Sequence, residues 1–569
     1  MIVLGINPAT HDAAAALFDD YRLLAAVSLE RLTRRKGDGK GIPRECIGEV
    51  LSIAGLSPAD VDVVVSTRGT MPRRYLPQWR RQTLEESGDE PSASLAEEMR
   101  KAGDLNTDAF FDAAKFRAEH GFRAGVPVRF ANHHRAHALP ALFFTQWPDA
   151  LLYTADGGGD NVHYSHRVFR AGAIDTLFGD DRWLLPERRV DSLGLAYAYA
   201  TQALGYRALR HEGKLTGLAA FGEPTLIDAM APHFRIDEQG RIDSDFESYG
   251  AMRRLIFALA EGQKPADVAA SIQKLLEDLI LGSVTRLLER HPVRHLGLAG
   301  GVFANVRLNR LLAERTPVDE IFVFPAMSDD GLAVGAVLEF LLERDGLAAW
   351  LERRHHLDHL YFGRDHGAAI DRTLTAAPGI RRLSDRPVQA AADLLAEGRI
   401  VAIFNGGMEF GPRALGARSI LAAAADRGVN DTLNARLERT EFMPFAPVVR
   451  DVDAARVFDL GAINRYASRF MTITCLVRPE WRERIQAVVH VDGTARPQVA
   501  ERKTNPLYYD ILTEYEARTG LPVLVNTSFN VHEEPIVNRP EECCRALADG
   551  RIDFVVTAAG VYGPGERHE

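Results

Sequence analysis

The chain has 569 residues, 46% hydrophobic and 26% charged, the make-up of a soluble globular protein with room for two to four domains. A net charge of −10 argues against bulk nucleic-acid binding, although local basic clefts remain compatible with it. Four scattered cysteines fit reduced cytosolic thiols better than a disulfide frame or zinc site, the N-terminus lacks a signal-peptide pattern, and no apolar stretch reaches the roughly 18–20 residues that span a bilayer.

The first elements read strand, turn, strand, turn, strand. "IVLGI" leads into the loop "NPATHD", then "AAAALF", the turn "DDY" and "RLLAAVSL". A helical segment, "IPRECIGEVLSIAGL", and the apolar strand "VDVVVST" follow. Residues 69–125 are polar and charged and predict a helical insertion. "ANHHRAHALPALFF" comes next, with His133 and His137 four apart and so on one helix face. "DALLYTADGGGDNVHYSHRVFRAG" then repeats the opening grammar of strand, small-residue loop, strand. Three consecutive glycines after Asp156 let a backbone approach a ligand closely. The repetition predicts a duplicated fold with a nucleotide between its halves.

Farther on, "HLGLAGGVFANVRLNRLLAER" predicts a strand entering Gly300 and Gly301 and a helix beginning near Asn305. Helix starts favour anions, and a plain tight turn satisfies the same pattern. "EIFVFPAMSDDGLAVGAVLEFLLER" predicts a strand, an acidic loop with Asp329 and Asp330, and a helix. The pattern weakens between Trp350 and Arg382, which predicts a junction. A further αβ unit opens with "PVQAAADLLAEG" and "RIVAIFNGG".

Three groups of residues suit chemistry. His133 and His137 offer two nitrogen ligands, and Asp156 and Asp329 lie in loops after strands where further ligands are expected; spacing alone, however, favours two surface histidines at a helix start. Arg413, Arg418, Arg439, Arg496 and Lys503 lie among glycines and small polar residues, with "NTSFN" at 526–530. Arginines so placed suit bidentate contacts to phosphate or carboxylate, and a solvated basic surface is the alternative. The third group is His11 with Asp12, and the run "ERLTRRKGDGK" with Lys36, which by itself reads as a solvated face.

Taken in order, "THDAAAAL", "ERLTRRK", "NHHRAH", "TADGGGD", "HEGKLTGLAAFG", "LAGGVFANVRLN", "MEFGPRALGARSIL", "PFAPVV", "HVDGTARPQ" and "NTSFNVHEEPIV" resemble the O-carbamoyltransferases of the NodU/CmcH type. The resemblance spans nearly the whole chain. It implies an α/β protein with a duplicated actin-like ATPase fold related to the TsaD-type threonylcarbamoyl transferases, over residues 1–355. A junction at 356–384 and a YrdC-like α/β domain over 385–569 would follow. It implies formation of carbamoyl-adenylate from carbamoyl phosphate and ATP, then transfer to a hydroxyl of a sugar or natural-product acceptor. No nucleic-acid or membrane partner is expected, and the setting is cytoplasmic.

By the same resemblance, His133, His137, Asp156 and Asp329 hold a divalent metal, Fe2+ by preference, with Mg2+ accompanying ATP. Asp156, Gly157, Gly158, Glu212, Lys214, Gly300, Gly301 and Asn305 line the nucleotide. Arg413, Arg418, Arg439, Arg496, Asn526 and Ser528 hold carbamoyl phosphate and ATP, Arg418 and Arg496 among them as catalytic groups. His11, on a loop that faces the cleft in an actin-like fold, is a candidate general base, and Lys36 a stabiliser of charge on the carbamoyl oxygen. Two departures stand out: Glu438 where many members carry lysine, and His532–Glu533 in "HEEPIV" where many have "KGEPIV". Two other readings remain: a TsaD-like tRNA-modifying enzyme, against which the YrdC-like half and the lack of a broad basic surface count, and a nucleotide-binding scaffold without turnover, supported by Glu438 alone.

Overall fold

The computed structural model describes residues 1–39, 41–76, 92–104, 106–160, 162–179, 189–439 and 444–565. The chain divides into two compact units. The first comprises Met1–Thr33 and Gly37–Leu357, the second Arg34–Lys36 and Asp358–Glu569.

The first unit contains one arrangement twice. Strands β1 (Ile2–Asn7), β2 (Ala14–Asp19), β3 (Arg22–Ser28), β4 (Val63–Thr67) and β5 (Val128–Ala131) form a sheet in the order β3-β2-β1-β4-β5. Strands β6 (Asp149–Gly159), β7 (Val162–Arg170), β8 (Ala173–Phe178), β9 (His295–Ala299) and β10 (Glu320–Val323) form the second, in the order β8-β7-β6-β9-β10. In both sheets the first three strands are an antiparallel meander. The last two join in parallel to the first. This is the duplicated actin-like fold. The parallel strands are buried on both faces, which is why "VVVST" and "HLGLA" are nearly continuous apolar runs rather than alternating ones.

The two halves are joined by exchanged helices. The helix His133–Phe143, which follows the first sheet, packs on β6 and β9 of the second. The helix Leu332–Asp345, which follows the second sheet, packs on β1, β2 and β4 of the first. The packing of the second helix on β1 and the contact between the two helices depend on missing side chains. A Cβ on Gly5 would lie 2.0 Å from the Ala333 carbonyl oxygen, and one on Gly335 would lie 1.7 Å from that of Ala136. The helices therefore cross with their N-terminal ends close together, and the loops entering them meet.

The glycine stretch after Asp156 departs from the expected open loop. β6 continues through Gly159, which pairs with Val162, and the register shifts between Ala155 and Gly159. Asp160, at a φ of 50°, makes the turn, so the glycines become a bent extension of the hairpin. Of the expected helical insertion, residues 77–91 lie outside the described residues. The remainder holds a short hairpin of Thr70–Pro72 with Ser92–Ser94, and helices Leu95–Ala102 and Ala113–His120.

The second unit is built on an eight-stranded mixed sheet. Its strands are β11 (Ile380–Ser384), β12 (Val401–Phe404), β13 (Arg418–Ala423), β14 (Ala446–Arg450), β15 (Gln498–Ala500), β16 (Val523–Ser528), β17 (Phe554–Val556) and β18 (Val561–Pro564). Their order is β11-β18-β17-β12-β13-β16-β14-β15. Helices Pro387–Ala396 and Pro506–Thr519 cover one face, with Leu395, Ile511, Leu512 and Tyr515 in its core.

Candidate functional site

Four side chains converge where the exchanged helices begin. Asn132 caps the helix His133–Phe143, its side chain accepting the Arg135 N–H, and so fixes the first turn that carries His133 and His137. Asp156 arrives on β6 and Asp329 on the turn before Leu332. His133 Nε2 lies 2.8 Å from Asp156 Oδ2 and 3.8 Å from Asp329 Oδ1. His137 Nε2 lies 3.2 Å and 3.6 Å from the same two oxygens. One donor atom from each of the four falls within 4.8 Å of all the others.

His137 Nε2 and Asp156 Oδ1 are buried and have no hydrogen-bond partner among the described residues. Unsatisfied buried donors and acceptors are costly, and a cation shared by all four groups removes that cost. Two imidazoles and two carboxylates suit a divalent transition metal better than a purely oxygen-seeking ion. The residues present therefore fit a metal centre. Burial works to lower the pKa of His133, but the charges of Asp156 and Asp329 and the hydrogen bond to Asp156 outweigh it and hold the ring at about 9. His134, between the two, points elsewhere: it bonds Thr154 Oγ1 and the Val162 carbonyl, and burial lowers it to about 3.

The surroundings fix these groups. Asp160 accepts the His133 N–H at 2.9 Å. Asn7, at the end of β1, donates to the Asp329 carbonyl at 2.8 Å and accepts from Thr67 Oγ1 at 2.6 Å. Gly159 lies against the His133 ring, where a Cβ would come within 2.1 Å of Cγ. Ser192 caps the helix Leu193–Ala203 and donates to the carbonyls of Asp156 and Gly157, bringing a helix start beside the glycines.

The expected nucleotide residues divide into open and committed. A Cβ on Gly157 would meet Leu195 Cδ2 and one on Gly301 would meet Ser328 Oγ, each at 4.0 Å, so neither position is crowded. Gly300, at a φ of 98°, lies so near Ala155 that a Cβ would meet its carbonyl oxygen at 2.2 Å. A Cβ on Gly158 would meet the His163 ring at 2.6 Å. The Asn305 side chain is committed: it caps the helix Val306–Arg315 and donates to Gln273. Glu212 accepts the Leu209 N–H, and burial raises its pKa. Lys214 is buried with its ammonium 5.9 Å from the Tyr206 ring centre.

His11 lies on the loop after β1, its Nδ1 3.1 Å from Asp12 Oδ2. Burial lowers its pKa, but the bond to Asp12 and the charges of Asp329 and Asp12 raise it to about 9 against the opposing charge of Arg210. Lys36 is exposed and counts with the second unit. Beside it, Arg34 donates to the carbonyls of Pro535 and Ile536 and pairs with Glu542 at 2.6 Å.

In the second unit the "EFGPRALGAR" loop wraps around Glu409. Its buried Oε1 accepts the N–H groups of Leu415 and Ala417 at 2.7 Å and of Arg418 at 3.2 Å. Arg418, expected at the phosphates, is fully buried. It lies 3.7 Å over the Phe404 ring and donates to the carbonyls of Arg364, Asn405, Gly406 and Ala417. Burial pushes its pKa down to about 10. Arg439 pins the "NTSFN" segment, donating to Thr527 Oγ1, Ser528 and Asn530. Asn526 is buried and donates to Gln498 and the Ala414 carbonyl. Arg413 and Arg496 are half-buried.

Residues 2–338 match the family model described as the carbamoyltransferase N-terminus, and residues 392–562 the one described as the carbamoyltransferase C-terminus. The chain belongs to the carbamoyltransferase family. It is an enzyme of carbamoyl transfer. This carbamoyltransferase is 33% identical over 569 residues to nodulation protein NolNO of Sinorhizobium fredii (strain NBRC 101917 / NGR234), covering 97% of this chain and 78% of that protein. It is 28% identical over 598 residues to nodulation protein U of Rhizobium tropici, covering 98% and 95%. Among solved structures, the activator of the 2-hydroxyisocaproyl-CoA dehydratase from Clostridium difficile with bound ADPNP is similar at 14% identity and a TM-score of 0.32, over 63% of this chain and 100% of that one.

Asn7 and Gly159, beside the four candidate metal ligands, carry no sequence signal of their own, since they reach that place through strand ends. In the second unit, Glu409 reads as one acidic residue in a glycine-rich loop. Asp160 is visible in the sequence as the residue that closes the "DGGGD" run. Among the described residues no helix is long and apolar enough to cross a membrane.

Proposed function

We propose that this carbamoyltransferase makes carbamoyl-adenylate from carbamoyl phosphate and ATP, and passes the carbamoyl group to a hydroxyl of a sugar or natural-product acceptor. The observation that carries this reading is the convergence of His133, His137, Asp156 and Asp329 beside the Gly157–Gly159 strip in a duplicated actin-like fold. His133, His137, Asp156 and Asp329 would hold the divalent ion, Fe2+ being the one that the family resemblance implies. When bound, the ion supplies positive charge for a phosphate group and offsets the charge that AMP carries away. Gly157, Gly158, Gly300 and Gly301 give close backbone approach to the nucleotide, with Glu212 and Lys214 beside it, and Asn305 fixes the helix next to them.

In the second unit, Arg413, Arg439, Arg496 and Ser528 would hold phosphates and carbamate, while Arg418 and Asn526 hold the loops that present them. Water cleaves carbamoyl phosphate to carbamate and phosphate. The carbamate oxygen then attacks the α-phosphorus of ATP and pyrophosphate leaves, with Mg2+ accompanying ATP. Carbamate is a weak nucleophile, so the work is alignment and charge neutralisation. In the first unit, His11 takes the proton of the acceptor hydroxyl as its oxygen bonds the carbamoyl carbon and AMP departs. With its pKa raised to about 9 by the bond to Asp12 and the charge of Asp329 against the effect of burial, the His11 ring becomes a proton acceptor as pH rises toward that value.

The experiment is incubation with ATP, carbamoyl phosphate and a panel of hydroxylated compounds. A mass gain of about 43 Da, one carbamoyl replacing hydrogen, together with release of AMP and pyrophosphate, is expected. Carbamoylation without ATP consumption would remove the adenylate from the reading.

A further inference from the structure

We propose that Asp12 is the positioning residue of the transfer step: its carboxylate holds the Nδ1 side of His11 and leaves Nε2 for the acceptor hydroxyl, while Ser328 and Arg210 hold the carboxylate. The inference rests on the reading of His11 as proton acceptor. Asp12 Oδ2 is 3.1 Å from His11 Nδ1 and accepts from Ser328 Oγ at 3.2 Å. Asp12 Oδ1 faces Arg210 Nη1 at 3.7 Å. Arg210 is itself fixed, donating to the carbonyls of Leu209 and Gly37 at 2.7 Å each. Its guanidinium lies flat on Gly37, where a Cβ would come within 1.9 Å of the central carbon.

The backbone is held as tightly as the side chain. The N–H groups of Asp12 and Ala13 donate to the carbonyls of Gly37 and Asp38. Asp12 has a φ of 56°, in the region that glycine and asparagine occupy with least strain. Either residue would serve a loop of this shape better than aspartate, so the shape does not account for the carboxylate. Its three side-chain partners do.

An aspartate on Nδ1–H selects one tautomer and one ring orientation. With Nδ1 protonated, the Nε2 lone pair takes the hydroxyl proton. The hydroxyl oxygen then bonds the carbamoyl carbon, the carbon–oxygen bond to AMP breaks, and AMP leaves with the electron pair. An asparagine at position 12 would offer Nδ1 an N–H as readily as a carbonyl and would no longer select that tautomer.

Asp12→Asn is the test, because asparagine accepts a positive φ and the loop should remain folded. The full chain, labelled with 15N-histidine in Mg2+ buffer, is examined by NMR, the His11 signals being assigned by their loss in His11→Gln. At a pH above about 9, where the His11 ring is neutral, the parent should show Nδ1–H as the settled form, and Asp12→Asn a shifted or exchange-averaged ring. AMP release from preformed carbamoyl-adenylate, with the acceptor found by the mass-gain panel or with water, should fall at least about a hundredfold in kcat with KM little changed. Unchanged His11 signals in Asp12→Asn overturn the proposal. If His11→Gln is slow and Asp12→Asn keeps the parental rate, Asp12 alone loses its role. If His11→Gln itself keeps the parental rate, the reading of His11 falls instead.

Discussion

Gly159→Ala tests the metal centre through a residue that is not a ligand. The added Cβ would lie 2.1 Å from His133 Cγ and 2.3 Å from both Cδ2 and Nδ1. An ordinary contact begins near 3.4 Å, so the ring must retreat by about 1.3 Å. Metal–nitrogen bonds tolerate deviations of only about 0.2 Å, so His133 would no longer reach an ion shared with the other three residues. Loss of an outer-shell partner weakens metal binding roughly 10–100-fold, and displacing a ligand should cost at least the upper end of that range. Gly159 does not have a positive φ, so alanine meets no backbone penalty, and overpacking should cost about 1–3 kcal/mol of stability. The assay is competition for a divalent ion against a chromophoric chelator, with parent, Gly159→Ala and His133→Ala side by side. Parental affinity in Gly159→Ala would refute the reasoning, since a ring pushed that far cannot remain in the same coordination sphere.

Proton release should accompany metal binding. In the metal-free protein the raised pKa of His133 contributes stability that is complete below about 6.5 and disappears as pH rises through about 9. An ion needs the neutral ring, so between those values affinity should climb with pH and about one proton should leave per ion bound; calorimetry in buffers of different ionisation enthalpy measures it, and no buffer dependence at pH 7.5 counts against the coupling. Arg418→Lys should remove the planar contact with Phe404 and several carbonyl bonds, lowering stability of the second unit by about 2–4 kcal/mol, read from urea unfolding. An unchanged midpoint would mean that the buried guanidinium is dispensable. Arg439→Ala should release Ser528 and Asn530 and slow pyrophosphate release about tenfold or more, with metal affinity in the first unit unchanged.

The sequence by itself determined the strands and their kind. "IVLGIN", "VVVST" and "HLGLA" are apolar runs of strand length bounded by turns, and local periodicity suffices to identify them. The candidate metal quartet was legible only through the family resemblance, since the spacing of His133 and His137 alone favours two surface histidines at a helix start. That the four meet was decided by the exchange of helices between the two halves. The exchange depends on Gly5 and Gly335 admitting a neighbouring backbone, contacts between residues far apart in the chain. Arg418 shows the converse. Among glycines it reads as a ligand-binding arginine, yet residue type and spacing do not say what lies under a guanidinium, and here it is the Phe404 ring with four carbonyls around it. Asp12 had a neighbour in His11 that the sequence displays. Its other two partners, Ser328 and Arg210, come from separate loops, and only folding brings their charges and hydroxyl within reach of one carboxylate.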